Sequence, residues 1–290
     1  MRLTRYALWP LRYKARRRSG LTVDPDRQPS PIPPAVRASC RIRRTVRGQT
    51  EVVTLTPRAT TPTATMLYLH GGTYSSPIST MHWKLIGNLL NASGARVIVP
   101  LYLRTPEHTL DDALPDLTDI YRDACSTSRL VLAGDSSGAG LALALAQVAA
   151  RSGDPAAAVL VLFSPWVDVT VSSPESLQIQ HSDPVIRLDP LRTLGAAWAG
   201  HRSTSDPLVS PLHARLEGLP PAVIFQGGHD ILTPDVDAFV SKARREGMHV
   251  DYVLEEAGFH VYPMACWTVE ARRAIAKAAA AITGNDFLGK

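Results

Sequence analysis

The chain has 290 residues, 45% of them apolar and 20% charged, with a formal net charge of +5. A chain this long can bury roughly 75% of its unfolded surface, which argues against a disordered polypeptide, and no apolar run reaches the ~18 residues of a membrane span. Three widely spaced cysteines, Cys40, Cys125 and Cys266, exclude a disulfide scaffold and a Cys-x-x-Cys site, and point to the cytosol.

The charge is unevenly spread. Residues 1–47 hold thirteen Lys and Arg against Asp24 and Asp26, a net of +11, whereas 48–290 hold eighteen against twenty-four, a net of −6. The first segment therefore reads as a basic arm ahead of a mildly acidic body. Its start is not followed by the 7–15-residue apolar stretch of a secretory signal. Leu3, Tyr6 and Ala7 share a helical face that Pro10 cuts short. Charge runs of this kind usually lie in solvent. Leu8, Trp9 and Leu11, flanked by arginines, also suit peripheral contact with an anionic membrane surface. Nucleic acid is not an expected partner, because the basic excess belongs to the appendage. Pro25, Pro29, Pro31, Pro33 and Pro34 then predict a stiff, extended connector.

From residue 50 strands and helices alternate. Met66–His70 is a short apolar run and reads as a buried strand. Met81–Ala92 carries Leu85, Ile86, Leu89 and Leu90 at helical spacing, with Gly94 as a stop. Arg96–Pro100 is β-branched and strand-like, and Asp111–Ala124 is helical with acids at its start. Leu130–Ala133 is a strand, and the Ala/Leu-rich Gly138–Arg151 a helix. Val159–Phe163 and Ala222–Gln226 are strands, Asp235–Glu246 a helix, His249–Leu254 a strand and Trp267–Ile282 a closing helix. Apolar strands separated by helices imply an α/β architecture, a mainly parallel sheet with helices on both faces. Ser164–Pro221 interrupts the rhythm. It is far longer than one crossover needs and reads as a lid or cap with its own helices.

Gly134-Asp135-Ser136-Ser137-Gly138 fits G-x-S-x-G. A chain this long gives about 0.1 such matches by chance at average Gly and Ser usage, so its context decides. The motif follows an apolar strand and opens a helix. A turn that sharp strains the serine, and glycines two residues to either side remove the side chains that would collide. Ser136 is then expected at the carboxyl edge of the sheet, beside a helix N-terminus. Capping of the helix by Asp135 or Ser136 would not require both glycines.

A serine hydroxyl needs a base, and the base a group to orient it. Asp230 follows the strand 222–226, and His260 follows the strand 249–254, so both fall on the same edge as Ser136 in the order Ser…Asp…His. His229 adjoins Asp230 in a loop, where neighbours rarely form a donor–acceptor pair. Asp235 is explained by its place in the first turn of a helix. Asp168, after Ser164-Pro165-Trp166, is the alternative acid. The chemistry implied is acyl transfer through a serine ester. His70-Gly71-Gly72-Thr73-Tyr74 ends the strand 66–69 and is the loop expected to supply backbone donors to an oxyanion, with His70 an anchor of the loop.

Together these residues resemble the hormone-sensitive-lipase-like branch of the α/β-hydrolase carboxylesterases. The resemblance rests on His70-Gly71-Gly72, on Tyr102…Pro106-Glu107-His108, on Gly134–Gly138 and on Ser164-Pro165-Trp166-Val167-Asp168. Asp206-Pro207…Ser210-Pro211-Leu212, and Gly228…Asp230 with His260, fit the same family, from about residue 66 to 283. It implies the α/β-hydrolase fold with Ser136 as nucleophile, Asp230 as acid and His260 as base. It further implies an oxyanion hole from the N–H groups of Gly72, Thr73 and Ser137, with Gly71 shaping the loop. The family's lid would correspond to the basic, proline-rich segment 1–47 and to 164–221, leaving 48–290 as the catalytic domain. Departures are Thr73 for a third glycine, Ser137 for alanine, and Leu101-Tyr102-Leu103-Arg104-Thr105-Pro106-Glu107-His108 for Asp-Tyr-Arg-Leu-Ala-Pro-Glu-His.

The expected function is hydrolysis of esters or lactones with small to medium apolar acyl groups. Amidase or peptidase chemistry shares the triad. A ligand receptor on the same fold is the non-catalytic rival, and the presence of His260 argues against it. No cofactor is expected, and the nine histidines show no H-x-x-x-H pairing that would imply a metal. A homodimer is a further partner expectation.

Overall fold

The computed structural model describes residues 27–126 and 129–285. The helical face of Leu3, Tyr6 and Ala7 and the membrane contact expected at Leu8, Trp9 and Leu11 lie outside those residues. Among the described residues, eight strands form one sheet in the spatial order β1-β2-β4-β3-β5-β6-β7-β8. They are β1 (Cys40–Arg47), β2 (Thr50–Pro57), β3 (Ala64–Leu69), β4 (Arg96–Leu101), β5 (Arg129–Asp135), β6 (Val159–Phe163), β7 (Ala222–Gly227) and β8 (Val250–Glu255). The pairs β1–β2 and β2–β4 are antiparallel, and every pair from β4 across to β8 is parallel.

The central strands β3, β5, β6 and β7 are buried along nearly their whole length. Each alternates its apolar side chains between two cores, as a sheet covered on both faces requires. Leu67 and Leu69 face the core built with helices α3 (Leu110–Cys125), α4 (Ser137–Ser152), α6 (Leu188–Ala199) and α7 (Thr233–Arg245). Met66 and Tyr68 face the core built with α1 (Pro34–Ser39), α2 (Thr80–Ser93) and α8 (Val269–Thr283). The helices start and stop where the chain's chemistry says they should. Ser79 caps α2 by accepting the His82 N–H, and Gly94 closes it in the left-handed region at φ 65°.

Two findings revise the expectation for residues 34–47. Pro34 opens a helix instead of extending the connector, since a proline at the first helical position lacks only an N–H that has no intrahelical partner. Cys40–Arg47 is a strand, not an arm. Six of the eight residues of β1 are exposed, so solvent takes both faces and arginines stand where apolar alternation would normally mark a strand. Arg44 pairs with Glu51 and Arg47 with Asp123. Residues 27–33 are tied to the body as well, the Ser30 N–H donating to Ile78 O and Trp83 Nε1 donating to Ser30 O.

The inserted segment 164–221 carries α5 (Glu175–Ile179), α6 and a 3₁₀ turn at Pro211–His213. Trp198 of α6 stacks on Tyr74 with ring centroids 4.4 Å apart. The tight crossing of β3, β5 and α4 depends on small residues. A Cβ on Gly138 would overlap the Leu69 carbonyl oxygen, and one on Gly134 would lie 2.6 Å from the Gly138 backbone. Backbone cannot yield as a side chain can. Gly138→Ala is therefore expected to destabilise the fold by about 3 kcal/mol, seen as a clear drop in Tm by circular dichroism; an unchanged Tm would contradict this packing.

Candidate active site

The end of β5 turns directly into α4, and Ser136 occupies the turn at φ 52°, ψ −122°. A non-glycine residue there is strained, at a cost of about 1–3 kcal/mol, and such strain concentrates at functional sites. The surroundings hold it in place: the Ser136 N–H donates to Phe163 O, and Ser136 O accepts from Ala139, Gly140 and Trp166. Ser136 makes no side-chain cap to α4, so helix capping does not account for the motif. Its hydroxyl points to His260 instead.

Three side chains from three strand ends meet. Ser136 Oγ lies 2.9 Å from His260 Nε2, and His260 Nδ1 lies 2.8 Å from Asp230 Oδ2. All three are buried. Asp230 is fixed from behind, its Oδ1 accepting the Leu232 N–H at 3.0 Å. The loop bearing His260 is pinned by the Val261 N–H, which donates to Ser164 Oγ at 2.9 Å. With the Nδ1–H directed at a carboxylate, Nε2 is left as the acceptor of the serine proton.

The competing residues are placed elsewhere. Asp168 accepts from the N–H and hydroxyl groups of both Thr170 and Ser172, which hold its carboxyl below the ordinary range although burial works against this. It anchors its own loop. His229 turns its Nδ1 toward Ser182 Oγ at 3.1 Å. Asp235 stands in the first turn of α7. His70 donates from Nδ1 to Gly71 O at 2.8 Å and stacks on Tyr102. Burial, then the neighbouring His82, push its pKa down to about 3, so it stays neutral as a loop anchor.

The loop after β3 faces the elbow. The Gly71 N–H donates to Asp135 Oδ1 at 3.1 Å, and a Cβ on Gly71 would overlap the Asp135 carboxylate. Gly71 thus has no N–H to offer an oxyanion, and its part is to let the loop approach the elbow. Among the described residues no hydrogen bond occupies the N–H of Gly72, Thr73 or Ser137. Thr73 and Tyr74 both have positive φ, 55° and 58°. Thr73 Oγ1 lies 2.7 Å from Gly72 O and 3.1 Å from Ser75 Oγ, contacts that keep its side chain within the loop. The Tyr74 N–H donates to Ser137 Oγ at 3.2 Å, so the serine standing where the family has alanine ties loop to elbow. Arg104, displaced relative to the family pattern, donates to Ser75 O at 2.8 Å and supports the same loop.

Sequence reasoning did not find the anchor of this arrangement. Asp135 is buried. Its Oδ1 accepts from Tyr68 Oη at 2.7 Å and from Gly71, and its Oδ2 lies 3.3 Å from His82 Nε2. His82 Nδ1 accepts the Ser79 N–H at 2.8 Å, so the proton sits on Nε2 and is shared with Asp135. Burial alone would raise the Asp135 carboxyl; His82, Tyr68 and the Gly71 N–H outweigh it and hold the group ionised. The three partners lie 53 to 67 residues away along the chain, and no local spacing signals them.

His260 titrates in an anionic environment. Burial disfavours the imidazolium, but Asp230, hydrogen-bonded to it, and then Asp183 and Asp135 outweigh burial and raise its pKa above 6.5. A base must be unprotonated to act, so a raised pKa moves the loss of activity to higher pH. The acid limb of kcat/KM, which reports the free enzyme, is expected to have its midpoint above pH 6.5; a midpoint near 5 would contradict this environment.

A family model described as alpha/beta hydrolase fold matches residues 66–264. The chain is 34% identical over 202 residues to an acetyl-hydrolase of Streptomyces hygroscopicus, with 68% of each chain covered. It is 30% identical over 236 residues to an esterase of Acinetobacter venetianus, covering 78% of this chain and 76% of the relative. Among solved structures, a hormone-sensitive lipase from a metagenome library superposes with a TM-score of 0.87 at 27% identity, over 98% of this chain and 97% of the other.

Proposed function

The chain belongs to the α/β-hydrolase fold family, in its hormone-sensitive-lipase-like branch, and from that premise we propose that it is a serine carboxylesterase acting on esters or lactones of small to medium apolar acids. The observation that carries this is the unbroken relay from Ser136 Oγ through His260 to Asp230, at 2.9 and 2.8 Å. The relatives' names, acetyl-hydrolase and esterase, favour short acyl groups.

Ser136 Oγ attacks the acyl carbon while His260 Nε2 takes its proton. The carbonyl oxygen becomes an oxyanion facing the N–H groups of Gly72, Thr73 and Ser137, each worth roughly 3–4 kcal/mol in the transition state. The C–O bond to the alcohol breaks as His260 returns the proton to the leaving oxygen, and an acyl ester remains on Ser136. His260 then deprotonates a water that attacks the ester, and the acid departs with Ser136 restored. Asp230 keeps the proton of the resting imidazole on Nδ1 and steadies the imidazolium in between.

The test is turnover of p-nitrophenyl acetate, butyrate and palmitate by the purified protein, beside p-nitroacetanilide. Acetate and butyrate are expected to give kcat/KM values at least about tenfold above palmitate, since a site for small acyl groups gains nothing from a long chain. Failure to turn over any ester would overturn the esterase reading, and faster cleavage of the anilide would replace it with an amidase.

A further inference from the structure

A second buried carboxylate stands behind the relay. Asp183 belongs to the inserted segment, between α5 and α6, and is fully buried. Its Oδ1 accepts the N–H groups of Val185 at 2.7 Å and Ile186 at 3.1 Å. Its Oδ2 reaches across to the loop after β7 and accepts the N–H of Ile231, the residue that follows Asp230, at 3.0 Å. The same stretch of the insertion grips that loop twice more: Ser176 Oγ donates to Ile231 O at 2.8 Å, and Ser182 Oγ lies 3.1 Å from His229 Nδ1. The loop carrying the acid is thus held from outside by the inserted segment, and only one of the three grips is a charge.

We propose that Asp183 is a positioning residue for the catalytic acid, holding the Asp230–Ile231 turn through the Ile231 N–H and setting a second negative charge behind the Asp230–His260 pair. The geometry favours the charge, because three N–H donors converge on the two oxygens and a carboxylate accepts them more strongly than a protonated carboxyl. Burial, then the nearby Asp230, work against that charge and raise Asp183 to about 6, while His260 and the two backbone donors from its own segment favour it. Across the cluster, Asp135 of the elbow acts on His260, Tyr252 of β8 is raised in part by Asp230, and His229 is turned to Ser182. Asp183 therefore acts on the reaction through Asp230 and His260 and touches no substrate. Through it the inserted segment helps set the basicity of the histidine.

The inference rests on the Ser136–His260–Asp230 reading, so wild-type protein and Ser136→Ala are measured first. An inactive wild type, or an active Ser136→Ala, removes that reading and is a separate result. With it standing, Asp183→Asn is compared with wild type in pH profiles of kcat and kcat/KM for p-nitrophenyl butyrate. An asparagine can keep an oxygen toward Val185 and Ile186 but turns an NH₂ toward the Ile231 N–H. Loss of a negative charge near the imidazolium lowers the histidine's pKa. The expected result is a kcat reduced about tenfold and an acid limb moved by roughly half a unit to lower pH. An unmoved limb overturns the proposal whatever happens to kcat, because a merely looser loop would not change the histidine's titration. Should Asp183→Asn fail to fold, Asp183→Ser, which also removes the charge but leaves a hydroxyl for the backbone N–H groups, is read in the same way, and an unmoved limb again overturns the proposal.

Discussion

Ser136→Ala is expected to lower kcat for p-nitrophenyl butyrate by roughly 10⁵-fold or more, with KM changed only a few-fold. The substitution deletes one oxygen, whose contact in the relay is with His260 Nε2. It leaves the backbone bonds that hold residue 136 in its turn, from Phe163, Ala139, Gly140 and Trp166. Alanine is no better suited than serine to φ 52°, so Tm should stay within a few degrees of wild type. The loss would then belong to chemistry and not to folding. Residual turnover would reflect the N–H groups of Gly72, Thr73 and Ser137, which the variant keeps. Wild-type turnover in this variant would mean that the ester is cleaved elsewhere.

Asp230→Asn is expected to reduce kcat about 10⁴-fold. Asp230 Oδ1 accepts the Leu232 N–H and Oδ2 faces His260 Nδ1. An asparagine that keeps its oxygen on Leu232 presents an NH₂ to His260. That forces Nδ1 to accept and moves the imidazole proton to Nε2, where it blocks uptake from Ser136. Asp168→Asn is the control, because Asp168 spends its oxygens on Thr170 and Ser172. It should cost stability in that loop and leave kcat within a few-fold. A collapse of kcat in Asp168→Asn, with Asp230→Asn active, would move the acid to the loop after β6.

The parts of the molecule legible in the sequence are those whose cause is local. The strand 159–163 is an unbroken apolar run and is observed with those same bounds. The elbow announces itself because Gly134 and Gly138 are required by backbone contacts within a few residues or across the adjacent strand. Asp230 and His260 could be named from their order and their places at strand ends. Choosing between Asp230 and Asp168 needed the fold, since both follow strands on the same edge and only side-chain direction separates them.

What stayed hidden has distant causes. β1 is antiparallel, at the sheet edge and largely wet, so nothing forces its side chains to alternate, and its arginines look like an arm. That the Gly71 N–H is already taken shows only in the fold, where Asp135, 64 residues away, accepts it. Asp183 sits in an insertion without motif, 48 residues before the Ile231 N–H that it accepts. An aspartate followed by a proline there reads as an ordinary turn. Burial is what gives the residue meaning.

Covalent acylation of Ser136 is tested most directly by treating the protein with a p-nitrophenyl phosphonate or organophosphate ester, which leaves a stable phosphoryl group on an activated serine, and mapping the adduct by mass spectrometry. One adduct per chain is expected, on the peptide containing Ser136, with parallel loss of esterase activity and no labelling in Ser136→Ala or His260→Ala. An adduct on another residue, or full esterase activity in Ser136→Ala, would contradict covalent catalysis by Ser136.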